Sequence, residues 1–153
     1  MLPATRERVS RNTADRINRQ IARRTAARVA HCAAGGPEAI ERRLATLERE
    51  WDVERVLEAN ASSLILGGLA LGRWADARFY ALPAVVAGFL LQHALQGWCP
   101  PVPILRRLGV RTQAEIEQER YALKALRGDF EVVPDIATAH RQEADRALRA
   151  VEL

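Results

Sequence analysis

Two apolar segments separated by a short polar turn constrain this chain more than any other feature. Residues 59–72 (ANASSLILGGLALG) and 79–98 (FYALPAVVAGFLLQHALQGW) flank Arg73-Trp74-Ala75-Asp76-Ala77-Arg78. Residues 81–91 carry no polar side chain, and neither 64–72 nor 81–91 has a wet face. A surface helix of a soluble domain shows an apolar stripe opposite a polar one, so segments apolar all round belong in a core or against lipid. A membrane span needs about 20 apolar residues, whereas runs of about 10–14 also suit core helices. The second segment reaches that length if Gln92, His93 and Gln96 are tolerated near its end. The first has about 13 unambiguous residues, roughly 20 Å of helix at 1.5 Å per residue. Length alone leaves core and membrane both open.

Three further patterns favour the membrane. All three tryptophans fall at segment ends: Trp51 before the first, Trp74 after it, and Trp98 closing the second, with Phe79-Tyr80 near Trp74. That spacing matches two aromatic belts. Gly68 and Gly72 are spaced as GxxxG, Ala59, Ser63 and Gly67 recur every four residues, and Ala84 and Gly88 do the same on the second segment. Small residues at this spacing let helix backbones approach closely where lipid supplies no hydrophobic drive. Arg42, Arg43, Arg49 and Arg55 precede the first segment and Arg106, Arg107 and Arg111 follow the second, against Arg73 and Arg78 in the turn. The positive-inside rule then places both termini in the cytoplasm.

The remainder reads as helices. Of 153 residues, 22 are Arg and one is Lys, a bias that with abundant alanine fits a GC-rich genome. Residues 1–12 read as polar and frayed, and no signal peptide is legible there. Residues 13–32 carry Ile17, Ile21, Thr25 and Val29 as a thin stripe ringed by Arg16, Arg19, Arg23, Arg24 and Arg28. Gly35-Gly36-Pro37 breaks that helix. The next has Ile40, Leu44, Leu47 and Trp51 on one face and no obvious breaker before the first apolar segment. Cys99-Pro100-Pro101-Val102-Pro103 ends the second apolar segment. Thr112 and Glu115 predict a capping box for a helix through Arg127, stopped by Gly128, and Asp135 can cap a last helix over 136–150. The expected fold is all-α: a membrane hairpin of two transmembrane helices flanked by amphipathic cytoplasmic helices. Its parts are a basic helix and linker (1–36), an amphipathic helix leading into the membrane (37–58), the hairpin (59–98) and C-terminal cytoplasmic helices (99–153).

The residues Glu54-Arg55 through Gly67-Gly68, the run ending Gln96-Gly97-Trp98-Cys99-Pro100, and Arg106-Arg107-Leu108-Gly109-Val110 resemble the YgaP-like transmembrane domain family. The resemblance covers roughly 52–111, and the Gly-x-Cys-Pro exit is its most specific element. It implies a two-span inner-membrane module of unknown function that forms a homodimer or higher oligomer and is sometimes fused to a rhodanese sulfurtransferase. This sequence holds no rhodanese loop, so sulfur transfer is not carried over.

The leading expectation is a non-enzymatic, oligomeric protein of a bacterial inner membrane, without cofactor or metal. Its helix-packing residues would be Ser63, Gly67, Gly68, Gly72, Ala84 and Gly88, and its interface anchors Trp51, Trp74 and Trp98. Asn60, Gln92, His93 and Gln96 are the intramembrane polar residues, read as hydrogen-bonding glue between helices more than as a functional site. Cys99 is the candidate reactive thiol, against the plain reading of a small buried residue. It underlies the alternative function, a thiol-relay or small-anion transport accessory beside a sulfurtransferase. The basic helix suits anionic headgroups or a place in a helical bundle. Nucleic acid, the partner of a third reading as a soluble bundle, is not favoured, because the arginines have no interleaved aromatics for base stacking. Glu115 and Glu119 share a helix face that a solvated surface explains.

Overall fold

The computed structural model describes residues 6–130, and every regular element among them is helical. In order these are α1 (Arg8–Arg11), α2 (Asp15–Ala34), α3 (Gly36–Leu47), α4 (Val53–Trp74), a 3-10 turn (Ala77–Tyr80), α5 (Ala81–Gln96), α6 (Val102–Leu108) and α7 (Gln113–Arg127). The helix expected over 136–150 lies outside the described residues.

Local chemistry sets most of the boundaries. Gly36 adopts φ 76°, which lets the chain reverse between α2 and α3, and Pro37 then occupies the first turn of α3. The Thr112/Glu115 capping box opens α7, and Gly128, at φ 89°, closes it, as the sequence predicts.

Three expectations are corrected. Val9 packs 3% exposed on a short helix within the stretch read as frayed. The helix from Pro37 does not run into the apolar segment: α3 ends at Leu47, and Asp52 starts α4 by accepting from Arg55 N at 2.8 Å. An N-cap aspartate satisfies an amide that a continuous helix would bond internally, so it competes with continuity. Gly97, in the left-handed conformation, ends α5 at Gln96, before the prolines; Pro101 and Pro103 flank the start of the unexpected helix α6.

The core lies in two clusters. Cys32, Ile40, Leu44, Leu47, Ile116 and Leu123 join α2, α3 and α7. Val9, Val53, Leu57, Cys99 and Val102 join α1, the first turns of α4, and the entry to α6. The stripe of α2 therefore faces protein, with Ile21 and Cys32 buried. A backbone bond from Val53 N to the Arg111 carbonyl (2.9 Å) ties the second cluster to the start of α7. The distal parts of α4 and α5 pack mainly on each other and on the 3-10 turn.

Candidate functional site

The site of interest is the apolar α4–α5 hairpin together with the charged base that holds it. Leu57, Ala61 and Gly68 are buried along one side of α4, with Ile65 and Gly72 half-buried in the same register. Built Cβ atoms would stand 2.6 Å from Pro83 Cδ at Gly68 and 2.7 Å from the Tyr80 ring at Gly72. Of the six small residues, Gly68 thus permits the close approach of α5 and Gly72 that of the 3-10 turn. Ser63, Gly67, Ala84 and Gly88 lie instead on the outer surface, where a Cβ at Gly67 or Gly88 would meet nothing within 4 Å. A period of four places residues on one helix face without saying which face meets the partner helix.

The outer surface of the hairpin is strongly apolar. Leu66 is 67% exposed, Leu91 63% and Val85 55%, and Leu64, Leu71 and Leu95 are also exposed. Soluble monomers rarely leave so continuous an apolar surface uncovered. Trp74 stands at the turn end with Phe79 and Tyr80, and Trp98 just beyond the opposite end of α5, all exposed. Trp51 lies before α4, with the Arg55 guanidinium 4.5 Å above its ring. Among the described residues one stretch, Ala77–Gln96, has the length and composition to cross a membrane, and almost none of it is buried. Helix α4 does not meet that standard, because Glu58, Asn60, Ser62 and Ser63 dilute its apolar half. Asn60 Nδ2 donates to the Val56 carbonyl (2.8 Å) and Ser63 Oγ to the Ala59 carbonyl (2.7 Å), so both satisfy polarity within their own helix.

The polar end of α5 is bonded to the base. His93, 3% exposed, places Nε2 2.8 Å from Glu54 Oε2, and Arg8 Nη2 donates to Glu54 Oε1 at 2.9 Å. Arg8 also donates to the Ala94 carbonyl (3.2 Å) and Asn12 to the Gln96 carbonyl (2.8 Å). Helix α1 and its cap residue Asn12 thus supply partners for carbonyls at the end of α5. Gly97, at φ 73°, passes so near Arg8 that a Cβ would stand 2.5 Å from its backbone. Burial pushes the Glu54 carboxyl up, but Arg8 and His93 outweigh it and hold it below the usual carboxylate range. The role of intramolecular glue falls to His93, whereas Gln92 and Gln96 make no side-chain hydrogen bond among the described residues.

Beneath this lies an ionic network that the sequence reading missed. Glu119 is 1% exposed and receives Arg28, Arg43 and Arg111. Arg111 also grips Glu50 through two bonds of 2.7 Å. Burial raises the Glu119 carboxyl, but the three guanidinium groups outweigh it and bring it to about 2. Arg106 clasps Glu115 at 2.6 and 2.7 Å and also donates to Asn18, Thr13 and the Val110 carbonyl. The surface reading of Glu119 is therefore corrected. Its signal was present: Glu119 sits inside the stripe formed by Ile116 and Leu123 on α7. A carboxylate on an apolar face must find buried cations.

Cys99 is 5% exposed among Val9, Val53, Leu57 and Val102, and burial pushes its thiol up. It also edges an apolar notch of about 190 Å³ between Leu57, Ala61, Val86 and Leu90. Among the described residues no three His, Cys, Asp or Glu side chains gather as a metal site. Nδ1 of His93 is buried without a partner, so no nucleophile hydrogen-bonds it among the described residues. No protein-family model, curated protein or solved structure matches this chain.

Proposed function

We propose that this chain is a non-enzymatic membrane protein whose α4–α5 hairpin enters the bilayer turn first, with the helical base at the cytoplasmic surface. The uncovered apolar surface of the hairpin supports this reading most directly: leucines on both helices point outward while the ion pairs gather at the base. Helix α5 with its preceding turn supplies the better span. Helix α4 accompanies it across, its short apolar part supported by the Gly68 and Gly72 contacts and by local thinning of the bilayer. The expected location is the inner membrane of a bacterium.

The outward small residues Ser63, Gly67, Ala84 and Gly88 are offered to a second copy, making the working unit a homo-oligomer. Membrane fractions should retain the full chain after alkaline carbonate and high salt, and light scattering in detergent should give more than one chain per particle. Release by carbonate sinks the hairpin insertion, and a strict monomer sinks the oligomer. The alternative, a thiol relay or small-anion accessory, gains no support from Cys99, whose buried thiol is biased toward its unreactive protonated form.

A further inference from the structure

We propose that the outer face of α2 and the adjoining edge of α6 form one binding surface for anionic phospholipid headgroups, an inference that rests on the membrane hairpin proposed above. Arg16, Arg19, Gln20, Arg23 and Arg24 line a shallow concavity of about 520 Å³. All five are exposed. The fold uses other arginines for its own ion pairs: Arg8, Arg28, Arg43, Arg106 and Arg111 each hold a carboxylate. Among the described residues none of the four arginines in the concavity forms an ion pair. Like charges three and four residues apart repel along a helix. An external anion relieves that repulsion, and the forked guanidinium donors match a phosphodiester.

The position of α6 selects the source of the phosphate. This helix follows directly from the hairpin exit at Trp98, and its final turn lies beside the basic face: Arg24 Nη1 is 3.5 Å from where a Cβ on Gly109 would stand. It turns Ile104 (60% exposed) and Leu108 (74%) outward, with Arg107 exposed between them. Aliphatic side chains beside unpaired guanidinium groups suit the headgroup boundary, where the leucine enters acyl chains and the arginines meet phosphate. A nucleic acid would leave Ile104 and Leu108 in water, and α2 offers no aromatic ring for base stacking.

The test places a reporter in the concavity. The full chain carrying Gln20→Cys is reconstituted in nanodiscs of phosphatidylcholine, with or without phosphatidylglycerol, and reacted with a charged maleimide. The wild-type chain, whose two cysteines are buried, supplies the background. Labelling should slow several-fold when phosphatidylglycerol is present, and added salt should reverse the effect. Adding Arg16→Gln, Arg19→Gln, Arg23→Gln and Arg24→Gln, all at exposed positions, should abolish the difference while helical content is retained. Equal labelling in both discs overturns the lipid assignment alone. Protection by a DNA duplex in phosphatidylcholine discs, absent from the fourfold variant, reassigns the face to nucleic acid and overturns it too. A chain that enters neither disc overturns the hairpin and this inference together.

Discussion

Gly68 and Pro83 meet across the hairpin so closely that no side chain fits between them, a Cβ on Gly68 standing 2.6 Å from Pro83 Cδ. Pro83 sits in the first turn of α5, where a proline is tolerated. The neighbouring Gly67 faces open space. Adjacent glycines in one helix therefore differ completely in what they do.

Gly68→Ala should destabilise the detergent-solubilised chain by about 1–3 kcal/mol, the typical penalty for overpacking a close contact. Gly67→Ala, whose Cβ meets nothing within its own chain, should leave the seam unstrained and gain up to about 1 kcal/mol of helix propensity there. Its cost should fall on the contact with a second copy, read as smaller particles by light scattering. Thermal unfolding of the two variants compares them directly. Equal losses would mean that the glycines share the seam.

Replacing Glu119 with Gln should lower stability by about 3–5 kcal/mol, because three guanidinium groups then surround a neutral amide. The same carboxylate makes the fold acid-sensitive. Its folded value of about 2 lies below the ordinary 4.5, so its contribution is complete above about 4.5 and is lost as pH falls toward about 2. The shift corresponds to roughly 3 kcal/mol. Glu115 and Glu54 are also held low and act in the same direction. Denaturation midpoints across that range should fall in the wild type and fall less in Glu119→Gln.

His93→Leu should cost about 1–3 kcal/mol by leaving one oxygen of the part-buried Glu54 carboxylate without its 2.8 Å partner. The double variant His93→Leu, Glu54→Gln should be less destabilised than the sum of the single variants, since the two side chains touch. Strict additivity in the cycle would show that the pair contributes nothing to holding α5 on the base.

Cys99 and Cys32, at 5% and 8% exposed, should react with maleimide slowly in the native chain and rapidly after denaturation. Fast native labelling of Cys99 would revive the thiol-relay reading.

Much of the helical framework was legible because its signals are local. The Thr112/Glu115 box, Gly128 after α7, Pro37 opening α3 and the apolar run of α5 each act within a few residues of themselves. The Asp52 cap is as local, but an amphipathic pattern that continues across it masks it. Periodicity also indicated that α2 and α3 have faces to bury.

What no local pattern carries is which distant residue each charge meets. Arg106 and Arg111 counted in the sequence as flanking charges that orient a hairpin, yet tertiary packing buries both against Glu115, Glu50 and Glu119. Burial and pairing depend on elements brought together from 28 to 119, and spacing along one helix does not encode them. The apolar hairpin itself was determined by sequence alone, since hydrophobic runs need no partner to be recognised. Tertiary structure decided its seam, placing Gly68 and Gly72 inside and Gly67 and Gly88 outside, because the rotation of one helix against another is set by the shapes that must interlock.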